Sequence, residues 1–307
     1  MHEYKHIFGP VPSRRFGRSL GIDLTPFKTC DFDCVFCQLG STAHTTAERK
    51  EYVPTEDVIA ELREWLDKGG EADVVTLAGS GEPTLHSGFG RVLDFIKSEC
   101  DIPAVILTNG SLLHLPEVRA DAAKAAIVKA SLSAWDQESF RRVNRPNPSL
   151  RFDDIVSGLK AFRKDYSGEL RLEVFLVPGI NSDPGQVARI AALADEIKPD
   201  LVQLNTAVRP PAEDVRAVTP EEMERLAGLF RQKTEAIADF KSKLSSEVEA
   251  NEETILAMLK RRPCTAAHIA EVFKMHPNEV AKYTGKLVSQ GVVKQVEKNS
   301  EIYFSGG

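Results

Sequence analysis

Along the chain, short apolar runs of strand length alternate with longer stretches whose apolar positions recur every three to four residues. The short runs are SLGIDL (19–24), DVVTLA (73–78), AVILT (104–108), IVKASLS (127–133), LRLEVFLV (170–177) and LVQLNT (201–206). Their length and enrichment in β-branched residues predict six strands. The stretches between them read as helices. In one, Val58, Leu62, Trp65 and Leu66 follow helical spacing after Pro54-Thr55 and stop at Lys68-Gly69-Gly70. Proline near the first turn and glycine past the last are the expected punctuation. Strand and helix alternate from about residue 19 to 206, which predicts repeated βα units and a parallel sheet.

Alternation inside the strands says what each face meets. Arg171 and Glu173 share one face of LRLEVFLV, Gln203 and Asn205 one face of LVQLNT, Lys129, Ser131 and Ser133 a third, and Gly21 and Asp23 a fourth. With helices on the apolar side, these polar positions face the inside of a curved sheet. A closed eight-stranded barrel fills its interior with branched apolar side chains, so six strands with a polar interior predict an open (β/α)6 partial TIM barrel that holds a ligand. The alternative is a doubly wound sheet with these polar residues near strand ends.

Beyond the sixth strand, Thr219-Pro220-Glu221-Glu222 opens a helical pattern running to about Leu244, and SSEVEANEE reads as a polar linker. The tail holds three short helical patterns, around Ile255/Leu256/Leu259, Ile269/Val272/Phe273 and Val280/Leu287/Val288. Two strand-like pieces, VVKQVE and EIYFS, follow around Lys298-Asn299-Ser300. Three helices and a hairpin predict a small winged helix-turn-helix domain. The expected division is an α/β domain over 1–245 and the winged-helix-like domain over 246–307.

Composition narrows the class. With 307 residues, 42% of them hydrophobic, the chain supports a substantial core. It has neither a long apolar run nor an export-signal pattern, so a membrane role is not expected and the cytoplasm is the expected compartment. A net charge of −6 argues against coating nucleic acid by bulk electrostatics. The tail from 251 carries eight Lys and Arg against six Glu, leaving −8 on the first 250 residues. Lys282, Tyr283 and Lys286 would form a nucleic-acid face on the third tail helix; protein docking or dimerisation is the competing use.

Three of the five cysteines, Cys30, Cys34 and Cys37, fall within TCDFDCVFCQLG (29–40), just past the first predicted strand. In a reducing compartment a disulfide is not expected, and clustered thiols point to metal or redox chemistry. Three thiolates hold three irons of a 4Fe-4S cluster and leave the fourth iron for an outside ligand. Zinc with His44 as fourth ligand, or a closed cluster using Cys100 or Cys264, are the alternatives. Otherwise those last two cysteines read as small buried hydrophobes in helices.

The chain resembles the radical S-adenosylmethionine (SAM) superfamily, whose Cys-x3-Cys-x-aromatic-Cys motif follows the first strand of a (β/α)6 partial barrel; Phe36 fills the aromatic position. The resemblance extends to Gly79-Ser80-Gly81-Glu82-Pro83, matching the family's Gly-Gly-Glu-Pro motif, to Thr108-Asn109-Gly110, and to Ser131-Leu132-Ser133. It implies one 4Fe-4S cluster on Cys30, Cys34 and Cys37, with SAM chelating the open iron. It also implies SAM contacts from Ser80 to Glu82, Ser131 and Asn205, with Phe36 near the adenine and Asn109 in the same site. Reductive cleavage would yield a 5'-deoxyadenosyl radical that abstracts a substrate hydrogen, with electrons from a donor such as flavodoxin or ferredoxin.

Within the superfamily, FGPVPSRRFGRSLGIDLTP and the cysteine segment are most similar to wyosine-synthetase-like proteins, which act on a tRNA base. This chain has no cysteine before Cys30, whereas those enzymes carry a second cluster there. An RNA base is the leading substrate class. A small molecule or peptide, or a cluster-based DNA-binding regulator, are the alternatives. Arg14, Arg15 and Arg18 either grip a phosphate or carboxylate at the barrel mouth or form a solvated arm. Asp23, Lys129, Arg171 and Glu173 form an interior ion-pair network or meet substrate. Arg141, Arg142 and Arg145 reach the SAM carboxylate or cap a loop. His86 and His114 read as loop residues without catalytic duty.

Overall fold

The computed structural model describes residues 4–13, 15–207, 213, 215–237, 250–298 and 301–306. One sheet of eight strands runs in chain order: β1 (Ile7–Ser13), β2 (Gly17–Ile22), β3 (Val74–Leu77), β4 (Ala104–Thr108), β5 (Ile127–Ser131), β6 (Glu169–Leu176), β7 (Leu201–Thr206) and β8 (Thr234–Ile237). β1 pairs antiparallel with β2, and every later pairing is parallel. All six anticipated strands are present, with boundaries within two residues. Helices α1 (Thr55–Asp67), α2 (Phe89–Glu99), α3 (Pro116–Ala122), α4 (Gln137–Asn144), α5 (Phe152–Asp165) and α6 (Pro184–Ile197) connect them.

The sheet gains one strand at each edge beyond the sequence expectation. IFGPVPS contains two prolines, which only an edge strand tolerates, and β1 pairs on one side alone. The helix expected over 219–244 is α7 (Pro220–Ala227), capped by Thr219 and closed at Gly228. The following TEAI adds to β7 as β8, because pairing at an open sheet edge overrides the local helical propensity of Glu and Ala in so short a segment. The rest of that expected helix and most of the expected linker, residues 238–249, lie outside the described residues.

Register creates the polar face. Ser131 lies opposite Glu173, Glu173 opposite Gln203, and Phe175 opposite Asn205. Side chains alternate along each strand, so Leu170, Leu172, Val174 and Leu176 of β6 point the other way. They share a core with Leu159 and Phe162 of α5 and Ile190 and Ala194 of α6. Each such burial is worth roughly 1.5–3 kcal/mol. A one-residue slip of β6 would bury Arg171 and Glu173 among the helices, which is why the register is strongly specified.

A second core gathers Ile255, Leu259, Ile269, Phe273, Val280, Leu287 and Phe304. It belongs to α8 (Glu252–Arg261), β9 (Cys264–Thr265), α9 (Ala266–Phe273), α10 (Pro277–Ser289), β10 (Val293–Lys298) and β11 (Glu301–Gly306). β10 and β11 form an antiparallel hairpin, and β9 pairs with the free side of β11. The hairpin turn at Asn299-Ser300 is outside the described residues. Cys264, expected on a helix, is a buried residue of β9. α8 lies along β1: Arg262 Nη2 donates to the Pro12 carbonyl at 3.2 Å, and the Arg261 guanidinium stacks 3.9 Å from the Phe8 ring centre.

Candidate functional site

The loop after β2 carries the three cysteines, none in a disulfide. Each sulfur accepts from nitrogen: Cys37 Sγ from Lys28 Nζ at 3.2 Å, Cys34 Sγ from Asn144 Nδ2 at 3.2 Å, and Cys30 Sγ from the Phe32 amide at 3.4 Å and Asn109 Nδ2 at 3.8 Å. Asn144 ends α4 and Asn109 follows β4, so different parts of the fold converge on this loop. Such donors stabilise negative sulfur and tune a bound cluster. Burial pushes the Cys30 thiol well up and the Cys34 thiol up to about 12. Both thiols are therefore protonated at neutral pH, and a metal binding there would have to release those protons.

The Gly79–Pro83 loop after β3 is sewn onto the cysteine loop. The Lys28 amide donates to the Ser80 carbonyl at 2.5 Å, and the Glu82 amide to the Thr29 carbonyl at 3.0 Å. The approach demands glycine at 81: a Cβ there would lie 1.8 Å from the Thr29 oxygen. Ser80 donates to Asp23 through its amide at 2.9 Å and its hydroxyl at 2.6 Å. Glu82 is buried and turned inward. Its carboxylate accepts from the Thr84 hydroxyl at 2.6 Å, the Thr108 hydroxyl at 2.6 Å and the Asn109 amide at 2.7 Å. Burial, reinforced by the charge of Asp31, raises the Glu82 carboxyl. Pro83 opens a single 3-10 turn. Glu82 thus locks the loop after β3 to the loop after β4, and the surface of this motif is main chain.

Inside the sheet, Glu173 accepts from Lys129 Nζ at 2.6 Å, Arg15 Nη2 at 3.2 Å and Asn205 Nδ2 at 3.3 Å. Burial alone would raise its carboxyl, but the charges of Lys129 and Arg15 overcome that and hold it down at about 2. This cluster floors a cavity of about 320 Å³. Phe36 and Cys37 line one wall, with Phe36 stacked on Phe175 at 4.0 Å between ring centres. Ser13 and Arg15 come from the N-terminal hairpin, and Arg261 and Arg262 from the end of α8. Arg261 Nη1 reaches Asp23 Oδ2 at 2.5 Å and Ser80 Oγ at 2.6 Å.

The structure gathers most of the anticipated residues at this mouth and disperses others. Cys37, Phe36, Asn205, Lys129 and Glu173 border the main cavity, and Gly79–Glu82 adjoin it through Asp23 and Arg261. Ser131 lines a smaller cavity with Asn109, Phe32 and Asn144. Arg171 leaves the expected network, pairing with Glu169 at 2.8 Å and stacking on Phe16. Arg18 pairs with Asp73 and Glu71, and Arg14 lies outside the described residues. Arg145 pairs with Glu213 and Asp33, and Arg142 donates to the Ile180 carbonyl, so both hold loops. His44 is exposed, and among the described residues no three His, Cys, Asp or Glu converge on a single metal ion. His86 is buried, with Nε2 2.7 Å from the Val53 carbonyl. Lys286 of the expected nucleic-acid face pairs with Glu252 at 2.5 Å. Sequence reasoning missed Lys28, Asn144, Arg261 and Arg262. For the last two, the one available signal was a pair of arginines at a helix end.

Residues 24–191 match the Radical SAM superfamily. The chain belongs to the radical SAM superfamily. A Methanocaldococcus jannaschii protein called UPF0026 is 33% identical over 97% of this chain and 94% of its own length. A Brachyspira hyodysenteriae protein called GTPase Obg is 38% identical over 98% of this chain. The chain spans only 45% of that relative. The dual-specificity RNA methyltransferase RlmN of Sorangium cellulosum is 26% identical over 60% of this chain and 50% of its own length. A solved radical SAM methyltransferase from Sphaerobacter thermophilus shares the fold, with a TM-score of 0.57 over 74% of this chain and 69% of that one at 14% identity.

Membership in this superfamily implies an enzyme with a 4Fe-4S cluster and SAM. The residues present fit both groups: three free thiols with nitrogen donors stand beside a main-chain cradle that only glycine at 81 permits. No helix among the described residues is long and apolar enough to cross a membrane.

Proposed function

We propose that Cys30, Cys34 and Cys37 hold the cluster and that SAM binds between the Gly79–Pro83 loop and the polar sheet interior. The observation that carries this is the stitching of those two loops, which brings the three sulfurs beside a main-chain cradle. When bound, the cluster and SAM would supply the radical chemistry for removing a hydrogen atom from substrate, with the electron coming from an external donor. Lys28, Asn109 and Asn144 orient the sulfurs and stabilise their charge. The Ser80–Glu82 main chain receives the SAM amine. Phe36, fixed by stacking on Phe175, offers a flat wall for the adenine, and Asn205 offers an amide to the ribose or methionine part. Ser131 and Asn109 serve the same site from the cluster side.

The proposed substrate is an RNA base. Support comes from the similarity to RlmN and from the wyosine-synthetase-like N-terminal segment. Residues 246–307 then form a winged helix-turn-helix unit beside the barrel domain of 1–245, a reading supported by three helices followed by a hairpin. A flavodoxin- or ferredoxin-type donor in the cytoplasm would supply the electrons.

The test is anaerobic reconstitution with iron, sulfide, reductant and SAM. 5'-Deoxyadenosine is expected to form, and Cys34→Ala to abolish it along with about one cluster equivalent of bound iron. Total RNA should raise the rate above background. If RNA leaves it unchanged while a low-molecular-weight extract raises it, the RNA assignment is wrong. Tight operator-DNA binding without SAM cleavage would make the chain a regulator instead.

A further inference from the structure

The superfamily match ends at residues 24 and 191, yet three cations at the cavity come from outside it: Arg15 from the N-terminal hairpin, and Arg261 and Arg262 from the end of α8. With Lys129, four cations face the space, against the carboxylates of Glu173 and Asp23. The pairing is uneven. Lys129 and Arg15 share Glu173, and Arg261 takes Asp23. Arg262 donates to the Pro12 carbonyl and lies 3.5 Å from Met258 Sδ; among the described residues no carboxylate pairs with it. Arg15 Nε is buried and, among the described residues, has no hydrogen-bond partner. The Arg15 side chain keeps 19% of its surface exposed, so the guanidinium still presents charge to the cavity, where an oxyanion would meet it together with Arg262.

We propose that this cavity binds an oxyanion carried by the substrate, held between Arg15 on the N-terminal hairpin and Arg262 on α8. Arg261 is the positioning residue: its bonds to Asp23 and Ser80 fix the end of α8 against the Gly79–Pro83 loop, which places Arg262 at the rim. A cavity of about 320 Å³ is at the low end for small-ligand pockets, roughly 300–1,000 Å³. Phe36 and Asn205 give part of it to SAM, so the space left at the arginine rim suits the phosphate or carboxylate group of a substrate and not a whole nucleotide. The inference rests on the reading of this site as a radical SAM centre and narrows its substrate to one bearing a phosphate or a carboxylate.

The test uses the full-length, cluster-loaded protein in chloride buffer, titrated calorimetrically with inorganic phosphate and, separately, with malonate. Saturable binding of at least one is expected, phosphate marking a nucleotide source and malonate a carboxylic acid. Arg262→Gln and Arg15→Gln should each weaken it by about ten-fold or more. Lys294→Gln, on exposed β10, should leave it unchanged. Arg262→Lys guards against a folding artefact: it keeps the charge but not the planar fork, and should fall in between. The proposal is overturned if the native protein binds neither anion, or if both glutamine variants bind as it does. It is also overturned if SAM displaces the anion competitively, since the arginines would then serve the SAM carboxylate. 5'-Deoxyadenosine formation is scored separately, so loss of the radical reading and loss of the anion site give different results.

Discussion

Replacing Glu173 by glutamine is the most direct probe of the polar sheet interior. The carboxylate stands between Lys129 and Arg15, with side-chain exposures of 16% for Glu173, 7% for Lys129 and 19% for Arg15. That places the pair among buried ion pairs, where removing one partner costs about 3–5 kcal/mol, and not among surface pairs worth about 0–1 kcal/mol. The titration gives a second route to the magnitude. The carboxyl falls from 4.5 to about 2 on folding, which corresponds to about 3 kcal/mol. Because the folded value is the lower one, this stability is fully present above about 4.5 and is lost as pH falls through 4.5 toward 2. Urea unfolding of the cluster-free chain, which removes cluster acid-lability from the measurement, should show Glu173→Gln less stable by about 3 kcal/mol at pH 7. The gap should close as the pH is lowered. A loss well under 1 kcal/mol at neutral pH, or native and variant curves parallel down to pH 3, would refute the argument that Glu173 is the interior counter-charge.

Gly81→Ala drives a Cβ to 1.8 Å from the Thr29 carbonyl oxygen. It should separate the two loops and weaken SAM binding in equilibrium dialysis while α-helical circular dichroism is retained; unchanged affinity would argue against the cradle. Glu82→Ala removes the acceptor of the Thr84 and Thr108 hydroxyls and of the Asn109 amide. Stranding these donors should destabilise the chain by about 1–3 kcal/mol in chemical denaturation, and Glu82→Gln by less. Asn144→Leu removes the donor to Cys34 Sγ. The loaded cluster should then shift in reduction potential without loss of iron content, since a hydrogen bond to sulfur tunes a cluster and does not hold it.

Strand and helix periodicity was legible because it is a local property of the chain: a period of two or of 3.6 is written in adjacent residues. All six central strands and the polar face of β5, β6 and β7 follow from it. The cysteine spacing and the Gly79–Pro83 segment were legible for a related reason, since each is a contiguous run within one loop. The edges of the sheet were not. β1 carries prolines and β8 reads as helix, and each is a strand only because a neighbouring edge was open to pair with it.

The interior network shows the same boundary. Alternation placed Lys129, Arg171 and Glu173 on one face, yet only the folded chain decides that Arg171 turns to Glu169 and Phe16 while Arg15, 158 residues before Glu173, takes its place. Glu82 lies in the loop expected to meet the cofactor through its main chain, and only the fold shows its side chain tying that loop to the one after β4. Arg261 and Arg262 counted only as tail charge until packing along β1 brought Arg261 to Asp23, 238 residues back, and Arg262 to Pro12, 250 residues back. Sequence by itself determined which elements form, which sides of them are apolar and where the thiols cluster, because those depend on neighbours in the chain. Which charges meet across the cavity depends on distances between residues far apart in sequence, and only the tertiary structure decides those.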